Sequence, residues 1–415
     1  MENSARPGSE ELHEAPAPSD RRILLVDCDS FYVQVARLED PDGAGREELL
    51  IVGGTPEGRG VVTSASYPTR EYGVRSGMPT SQALRLCPAA VVVPVSRRAC
   101  LRRSKAIRDL LTRLAPLVQA ASIDEFYLDL SGTERLFRGE SLEETAWRIR
   151  EAVLEATGIS VSVGGGTRKL VAKLAVGLAK PGGVRVVPPG GEQEFMRGMK
   201  LRDIPGVGPS FAKALERRKL FRVEDILPVE EAWLSRWFGE SRGPWLWERA
   251  RGLDSSKVNP DEPRKSVSSE RTFAEDLQDP AALEKELLRL AVSVGRAVRR
   301  AGFQGKTVTV KIRDADFQTR QAARTLPQAV ESDAAIFSQA RDLLRELRTR
   351  RNMAVRLLGV GISSLEEGSD VAQTELFADE APGEPQRQRA LSRVLDDLRN
   401  RFGEDAILPG RILED

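Results

Sequence analysis

The chain has 415 residues, 63 Lys plus Arg against 62 Asp plus Glu, a net charge of +1, and 40% hydrophobic and 30% charged residues. This composition can bury several cores and excludes global disorder, and at roughly 100 to 200 residues per domain it allows two to four domains. No run of about 18 apolar residues is present to span a bilayer, and the charge balance makes no case for a polyanionic partner unless opposing blocks cancel. Residues 1–20, MENSARPGSEELHEAPAPSD, lack a basic start and an apolar stretch, so they read as a disordered extension and not as a secretory signal. Three cysteines, Cys28, Cys87 and Cys100, are too few and too odd in number for a disulfide framework and point to a reducing, cytoplasmic setting. The one histidine, His13, lies in the polar extension, which excludes Ser-His-Asp catalysis, His-rich zinc sites and histidine acid-base chemistry. Chemistry must rest on carboxylates, hydroxyls, amines or a bound metal.

Ile23 to Val26 is a short apolar run that predicts a buried strand, ending on Asp27-Cys28-Asp29 before a helix over Phe31 to Leu38. A second strand, residues 61–65, runs into YPTREYGVRSGMP, where Gly73, Gly77 and Pro79 mark turns. Helices are predicted at Ser81 to Leu86 and Ala99 to Leu114. Residues 121–130 read as one strand carrying Asp124 and Glu125 among apolar and aromatic neighbours. Ser141-Leu142-Glu143-Glu144 is a capping box opening a helix with Ala146, Ile149 and Val153 on one face and Gly158 as its stop. A strand over 159–164 and a helix over Lys169 to Leu178 follow, ending at Lys180-Pro181-Gly182-Gly183.

From residue 201 the pattern is helical, and SSKVNPDEPRKS is polar and Pro-containing, hence a linker. Beyond it the order is strand 266–273, helix 281–301, strand 306–313, strand 317–326, helix 332–350 and strand 354–364, a split βαβ, ferredoxin-like βαββαβ. Residues 264–367 hold 19 basic against 14 acidic residues, +5, and 368–415 hold 6 against 11, −5, so opposing blocks do cancel in the total.

Asp27, Asp124 and Glu125 carry the sharpest chemistry. Carboxylates at the ends or middles of apolar strands are costly to bury unless a cation neutralises them. Hard divalent ions take oxygen ligands, and two of them bridged by carboxylates suit phosphoryl transfer. Taken alone, each acid could equally be a capped turn or an exposed edge.

The surrounding text decides for the chemistry. VDCDSFYVQVARLEDP, ASYPTREYGVRSGMPTSQALRLCP, SIDEFYLDLSG, SVGGGTRKLVAKLAVGLAKPGG, IPGVGPSFAKAL, RKSVSSERTF and KTVTVKIRDADF stand in this order between about residues 22 and 365. Together they resemble the Y-family DNA polymerases, most closely the DinB-type branch. The resemblance implies an α+β polymerase right hand. Palm and fingers would span 21–200, a small helical thumb with a helix-hairpin-helix 201–255, a linker 256–265, a ferredoxin-like little finger 266–367 and an acidic tail 368–415.

It further implies that Asp27, Asp124 and Glu125 hold two Mg²⁺ ions with the Cys28 main-chain carbonyl, and that Asp29 supports the site; a helix N-cap is equally open for Asp29. Tyr32 matches the steric gate that excludes a 2′-hydroxyl, although from spacing alone it is as readily a core aromatic. Tyr67, Arg70, Lys180 and Ser64 match the dNTP phosphate contacts. Lys169 and Lys173, four apart on one helix face, could meet DNA or water. Gly206 and Gly208 flank a turn like that of a helix-hairpin-helix, which binds a DNA phosphate through main-chain N–H groups. Lys306, Lys311 and Arg313, with Thr307 and Thr309, alternate with Val308, Val310 and Ile312, which suits a sheet lying along duplex phosphates.

Gln373, Leu376 and Phe377 in QTELF resemble a sliding-clamp-binding peptide. Four departures stand out: Ala36, Gly177, Gly165 to Arg168 and Gln321 to Arg324, none of which removes a metal ligand. The expected protein is thus a cytoplasmic, monomeric, low-fidelity translesion polymerase that extends a primer on template DNA with dNTPs and has no membrane association. The alternatives are a non-catalytic, clamp-tethered DNA-binding accessory, which should lack the acids, and a nucleotidyl cyclase, which should lack the DNA-binding segments.

Overall fold

The computed structural model describes residues 21–136, 139–367, 384–403, 406, 407, 409 and 410, and the chain divides into two units after Glu262. The QTELF peptide lies outside the described residues. No helix among the described residues is long and apolar enough to cross a membrane.

The first unit holds eight strands: β1 (Ile23–Cys28), β2 (Leu50–Gly53), β3 (Val62–Ala65), β4 (Val91–Val93), β5 (Leu117–Ala120), β6 (Glu125–Asp129), β7 (Val161–Gly166) and β8 (Val184–Val186). Five of them form one sheet in the order β5-β6-β1-β7-β8, with β1 antiparallel to both neighbours. Every residue of β1 is buried because helices cover both faces, and strand alternation then sorts its side chains. Leu24, Val26 and Cys28 pack with Ile107 and Leu111 of helix Arg97–Leu114 and with Ile149 and Val153 of helix Leu142–Thr157. Ile23 and Leu25 pack on the other face with Ala172 and Val176 of helix Lys169–Ala179. Asp27 shares the parity of Ile23 and Leu25, so it looks toward the helix that carries Lys173 and leads into Lys180.

The predicted strand over 121–130 is shorter: β6 holds residues 125–129, and residues 121–124 are the turn that joins it to β5 in a hairpin. The N–H groups of Ala121 and Ser122 both donate to the Glu125 carbonyl, and Ser122 Oγ accepts from the Asp124 N–H, which turns the chain. The capping box at Ser141 and Glu144 forms, and Gly158 ends that helix in the left-handed region at φ 70°.

β2 pairs antiparallel with β3 and parallel with β4, and this small sheet carries helix Tyr67–Glu71. Helices Glu192–Arg197, Pro209–Glu216, Glu231–Phe238 and Arg242–Ala250 share a third core around Phe211, Leu215, Leu234 and Leu246. Part of the segment expected as a linker, residues 256–262, packs onto this unit together with Asp254 before it. Asp254 accepts from the Leu170 N–H at 3.0 Å, Val258 is buried against Leu25 and Val176, and Gln119 meets the Asn259 N–H and Glu262.

The second unit runs β9 (Ser266–Leu277), helix Pro280–Arg300, β10 (Phe303–Asp314), β11 (Thr319–Val330), helix Asp333–Arg350 and β12 (Val355–Glu367). The sheet order is β11-β10-β12-β9 with every neighbouring pair antiparallel, so each helix joins two parallel strands split by a third, as the βαββαβ order requires. Both helices cover one face, where Val308, Val310, Ile312, Leu358 and Val360 meet Leu287 and Leu344. Residues 386–402 form a further helix whose Asp396 binds the buried Arg299 at 2.7 and 3.0 Å. Part of the segment expected to be an acidic tail is therefore built into this unit.

Candidate active site

Asp27 and Glu125 are direct partners across β1 and β6, and Asp124 stands at the turn before them, where its carbonyl accepts the Cys28 N–H at 3.0 Å. One pairing register thus brings Asp27 alongside the distant Asp124-Glu125 pair. Asp27 is 5% exposed. Burial raises its pKa to about 6, opposed by the Lys180 ammonium and reinforced by Glu125. Lys180 Nζ donates to Asp27 Oδ1 at 2.6 Å, and Lys173 Nζ donates to Glu125 Oε1 while standing 3.8 Å from Asp27 Oδ2. The sequence reading missed Lys173 as part of this site. The sequence marks it only as one of two lysines four apart on a helix face, with no signal for which strand that face covers.

Asp29, 4% exposed, does not cap the following helix, whose N-cap is Ser30. Its carboxylate instead accepts from Ser160 Oγ at 2.9 Å, Ser162 Oγ at 2.7 Å, the Gly182 N–H at 2.9 Å and Tyr67 OH at 3.2 Å. Those four donors saturate it, and it ties β1 to β7, to the Lys180 turn and to Tyr67. Burial, with Asp29 next, pushes Tyr67 up to about 12, which keeps its hydroxyl a donor. Arg70 is held by the Ala65 carbonyl at 2.9 Å and Ser30 Oγ at 3.0 Å, with its guanidinium 4.9 Å from the Tyr67 ring centroid. Ser64 is buried on β3. Tyr32 is partly buried, edge-on to Phe31 at 5.6 Å, and its pKa is raised by burial and then by the Asp124 charge.

Helix Lys169–Ala179 reaches the acids because β7 is glycine-rich. A Cβ on Gly164 would lie 2.1 Å from the Ala172 carbonyl oxygen and 2.3 Å from the Val176 nitrogen. Lys169 on the same helix donates to Gln119 Oε1 at 2.7 Å and lies over the Tyr127 ring, so it is held away from the acids.

Among the described residues no three His, Cys, Asp or Glu side chains are already drawn together around a cation position, and the Asp124 carboxylate is turned to Ser122 Oγ at 2.5 Å. The donor set still fits a hard divalent ion: carboxylates and a main-chain carbonyl are oxygen ligands. The raised pKa of Asp27 and the two lysines leaning on the acids both register a demand for positive charge there.

Elsewhere in this unit Gly206 adopts φ 101° with Trp245 so close that a Cβ would lie 2.6 Å from its ring. Gly208 is the N-cap of helix Pro209–Glu216, and Gly206, Gly208, Ser210 and Arg242 border one cleft. In the second unit Lys311 and Arg313 lie on the sheet face opposite Val310 and Ile312, whereas Lys306 falls at a register irregularity between Gly305 and Thr307.

Residues 26–177 match the impB/mucB/samB family and residues 264–376 match the impB/mucB/samB family C-terminal domain. The DNA polymerase IV of Caulobacter vibrioides is 37% identical over 394 residues, 94% of each chain. The chain belongs to the DinB-type Y-family DNA polymerases. The DNA polymerase IV of Alkalilimnicola ehrlichii is 38% identical over 84% of this polymerase and 96% of its own length. Among solved structures, a Y-family DNA polymerase chimera Dbh-Dpo4(243-245)-Dbh superposes on the polymerase with a TM-score of 0.75 at 26% identity, over 84% of this chain and 100% of its own. An insertion ternary complex of Dbh DNA polymerase gives 0.59 at the same identity and coverage.

The α+β right hand with palm, fingers, thumb and little finger is the fold, and translesion DNA synthesis is the activity. Relatives named DNA polymerase IV favour neither the accessory nor the cyclase alternative. A divalent metal requirement comes with the family.

In the metal-free polymerase, a folded-state pKa of about 6 for Asp27 lies above the ordinary 3.8. Its contribution to stability is therefore fully present below about pH 4 and lost as pH rises through about 6. Two pKa units correspond to about 3 kcal/mol. Asp27→Asn should then melt higher than the wild type at pH 7.5 in chelator, with the difference closing toward pH 4. A variant that melts lower at both pH values would show that Asp27 is not held against its charge.

Proposed function

We propose that Asp27, Asp124 and Glu125, with the Cys28 carbonyl, hold two Mg²⁺ ions at which this polymerase extends a primer on template DNA. The observation that carries the reading is the in-register pairing of Asp27 with Glu125 beside Asp124, where two lysines turn onto these carboxylates. The ions supply Lewis-acid charge for the attacking and leaving oxygens. The rest falls to this chain's own side chains. Arg70, fixed by Ala65 and Ser30 and stacked near Tyr67, is preset to donate a pair of hydrogen bonds to the triphosphate. Lys180 would move from Asp27 to the phosphates once another cation neutralises that acid, and Lys173 would be released from Glu125 in the same exchange. Ser64 completes the phosphate contacts. The primer 3′-oxygen attacks the α-phosphorus, pyrophosphate leaves, and catalysis is mainly positioning and charge stabilisation.

Gly206 and Gly208 at the thumb turn and Lys306, Lys311 and Arg313 on the little finger would bind the DNA backbone without reading sequence. The boundaries read from sequence place palm and fingers at 21–200, thumb at 201–255 and little finger at 266–367. The QTELF peptide would anchor a sliding clamp through Gln373, Leu376 and Phe377 in a cytoplasmic, monomeric enzyme.

The test is primer extension with purified protein, Mg²⁺ and either dNTPs or rNTPs. Wild type should add dNTPs alone, and Tyr32→Ala should admit rNTPs with discrimination reduced by about 10²-fold or more, since a ring held by its neighbours cannot yield cheaply to a 2′-hydroxyl. Unchanged sugar discrimination in that variant would remove Tyr32 as the gate.

A further inference from the structure

The open face of the second unit's sheet is less cationic than its sequence suggests. Residues 264–367 carry +5, but nine of the 19 basic residues lie on helices Pro280–Arg300 and Asp333–Arg350, across the sheet from that face. On the face itself the pairing register runs Glu270 to Gly359 to Lys311 straight across three strands. Gly359 offers no side chain between the two. Glu270 reaches over it so closely that a Cβ there would lie 2.8 Å from Glu270 Cγ, and both carboxylate oxygens accept from Lys311 Nζ, at 2.9 and 3.1 Å. Lys306 Nζ likewise meets Glu366 Oε1 at 2.5 Å. Each of the two lysines assigned to DNA on this sheet is thus already held by a glutamate of a neighbouring strand.

We propose that Glu270 and Glu366 are attenuators of duplex binding, set to cancel Lys311 and Lys306 until a DNA phosphate competes for them. The inference rests on the reading that this face lies along DNA. A lysine that neutralises one phosphate releases about 0.9 of a counterion. When Lys311 transfers to phosphate, Glu270 is left bare and takes up a cation, so the net release for that contact falls toward zero. The contact remains as a hydrogen bond but gives little long-range attraction. The little finger then holds duplex weakly and lets go readily.

The test is fluorescence anisotropy of the full chain with a labelled primer-template duplex, titrated at several salt concentrations. Glu270→Gln and Glu366→Gln should each steepen the slope of log affinity against log salt by about 0.9 and tighten binding about 3- to 10-fold near 0.1 M salt. Glu346→Gln, which removes an exposed glutamate paired with Arg350 on the helix side, should change neither. Weaker or unchanged binding in the Glu270 and Glu366 variants overturns the proposal, as does an equal gain in Glu346→Gln, which would make the effect one of total charge. Lys311→Gln and Lys306→Gln separate the two levels: they must weaken binding. If they do not, the face does not meet DNA, and the underlying reading falls together with the proposal.

Discussion

Replacing Asp124 and Glu125 together by alanine will reduce primer extension at least about 10³-fold, since the charge proposed to hold the metal ions, and with it the preorganised field at the reacting phosphate, is removed. The protein should stay folded. Asp124 and Glu125 lie at the hairpin end of β6, only partly buried, and the hydrophobic contacts of Phe126 and Leu128 behind them are untouched. Duplex affinity should remain within about 3-fold of wild type, because the proposed DNA-backbone contacts lie elsewhere, at the Gly206–Gly208 turn and on the second unit's sheet. Extension at wild-type rate would mean either a contaminating polymerase or chemistry housed elsewhere. Loss of extension accompanied by loss of duplex binding would assign the defect to folding.

The second large effect is expected at a residue with no chemistry of its own. Gly164→Ala places a methyl group against the main chain of helix Lys169–Ala179, 2.1 Å from one carbonyl oxygen and 2.3 Å from an amide nitrogen. Backbone cannot rotate away as a side-chain tip can, so the helix must move outward. Overpacking costs typically about 1–3 kcal/mol, and this site should lie at or above the top of that range, lowering the melting temperature by about 5–10 °C. The helix carries Lys173 and leads into Lys180, so a shift on the order of 1 Å should also cost about 10²-fold in nucleotide addition. Normal stability with normal extension would show that β7 and this helix have slack that the close approach does not suggest.

Much of the fold was legible locally. The run ILLVDC, the Ser141 capping box, Gly158 and the βαββαβ order of the second unit all appear close to where periodicity and caps put them, because each of these signals is written within a few residues of chain. The strand expected over 121–130 begins only at Glu125 because Ser122 closing on Asp124 makes a turn before it, a polar contact too local and too ordinary to stand out among apolar neighbours. Lys173 was missed for the opposite reason. Its partner Glu125 is 48 residues away, and nothing in helical spacing says which strand a helix will cover.

By itself, the sequence determined the acids, their resemblance to a polymerase site and the helices and strands that carry them. Only the tertiary structure decided that Asp27 faces Lys173 and Lys180, that Asp29 is a saturated strut, that residues 254–262 pack as part of the first unit, and that Glu270 holds Lys311 across Gly359. Each of these depends on strand register and on which face a helix covers. Such contacts join residues far apart in the chain, and a shift of one residue in register would send the strand residues Asp27, Glu270 and Lys311 to the opposite face.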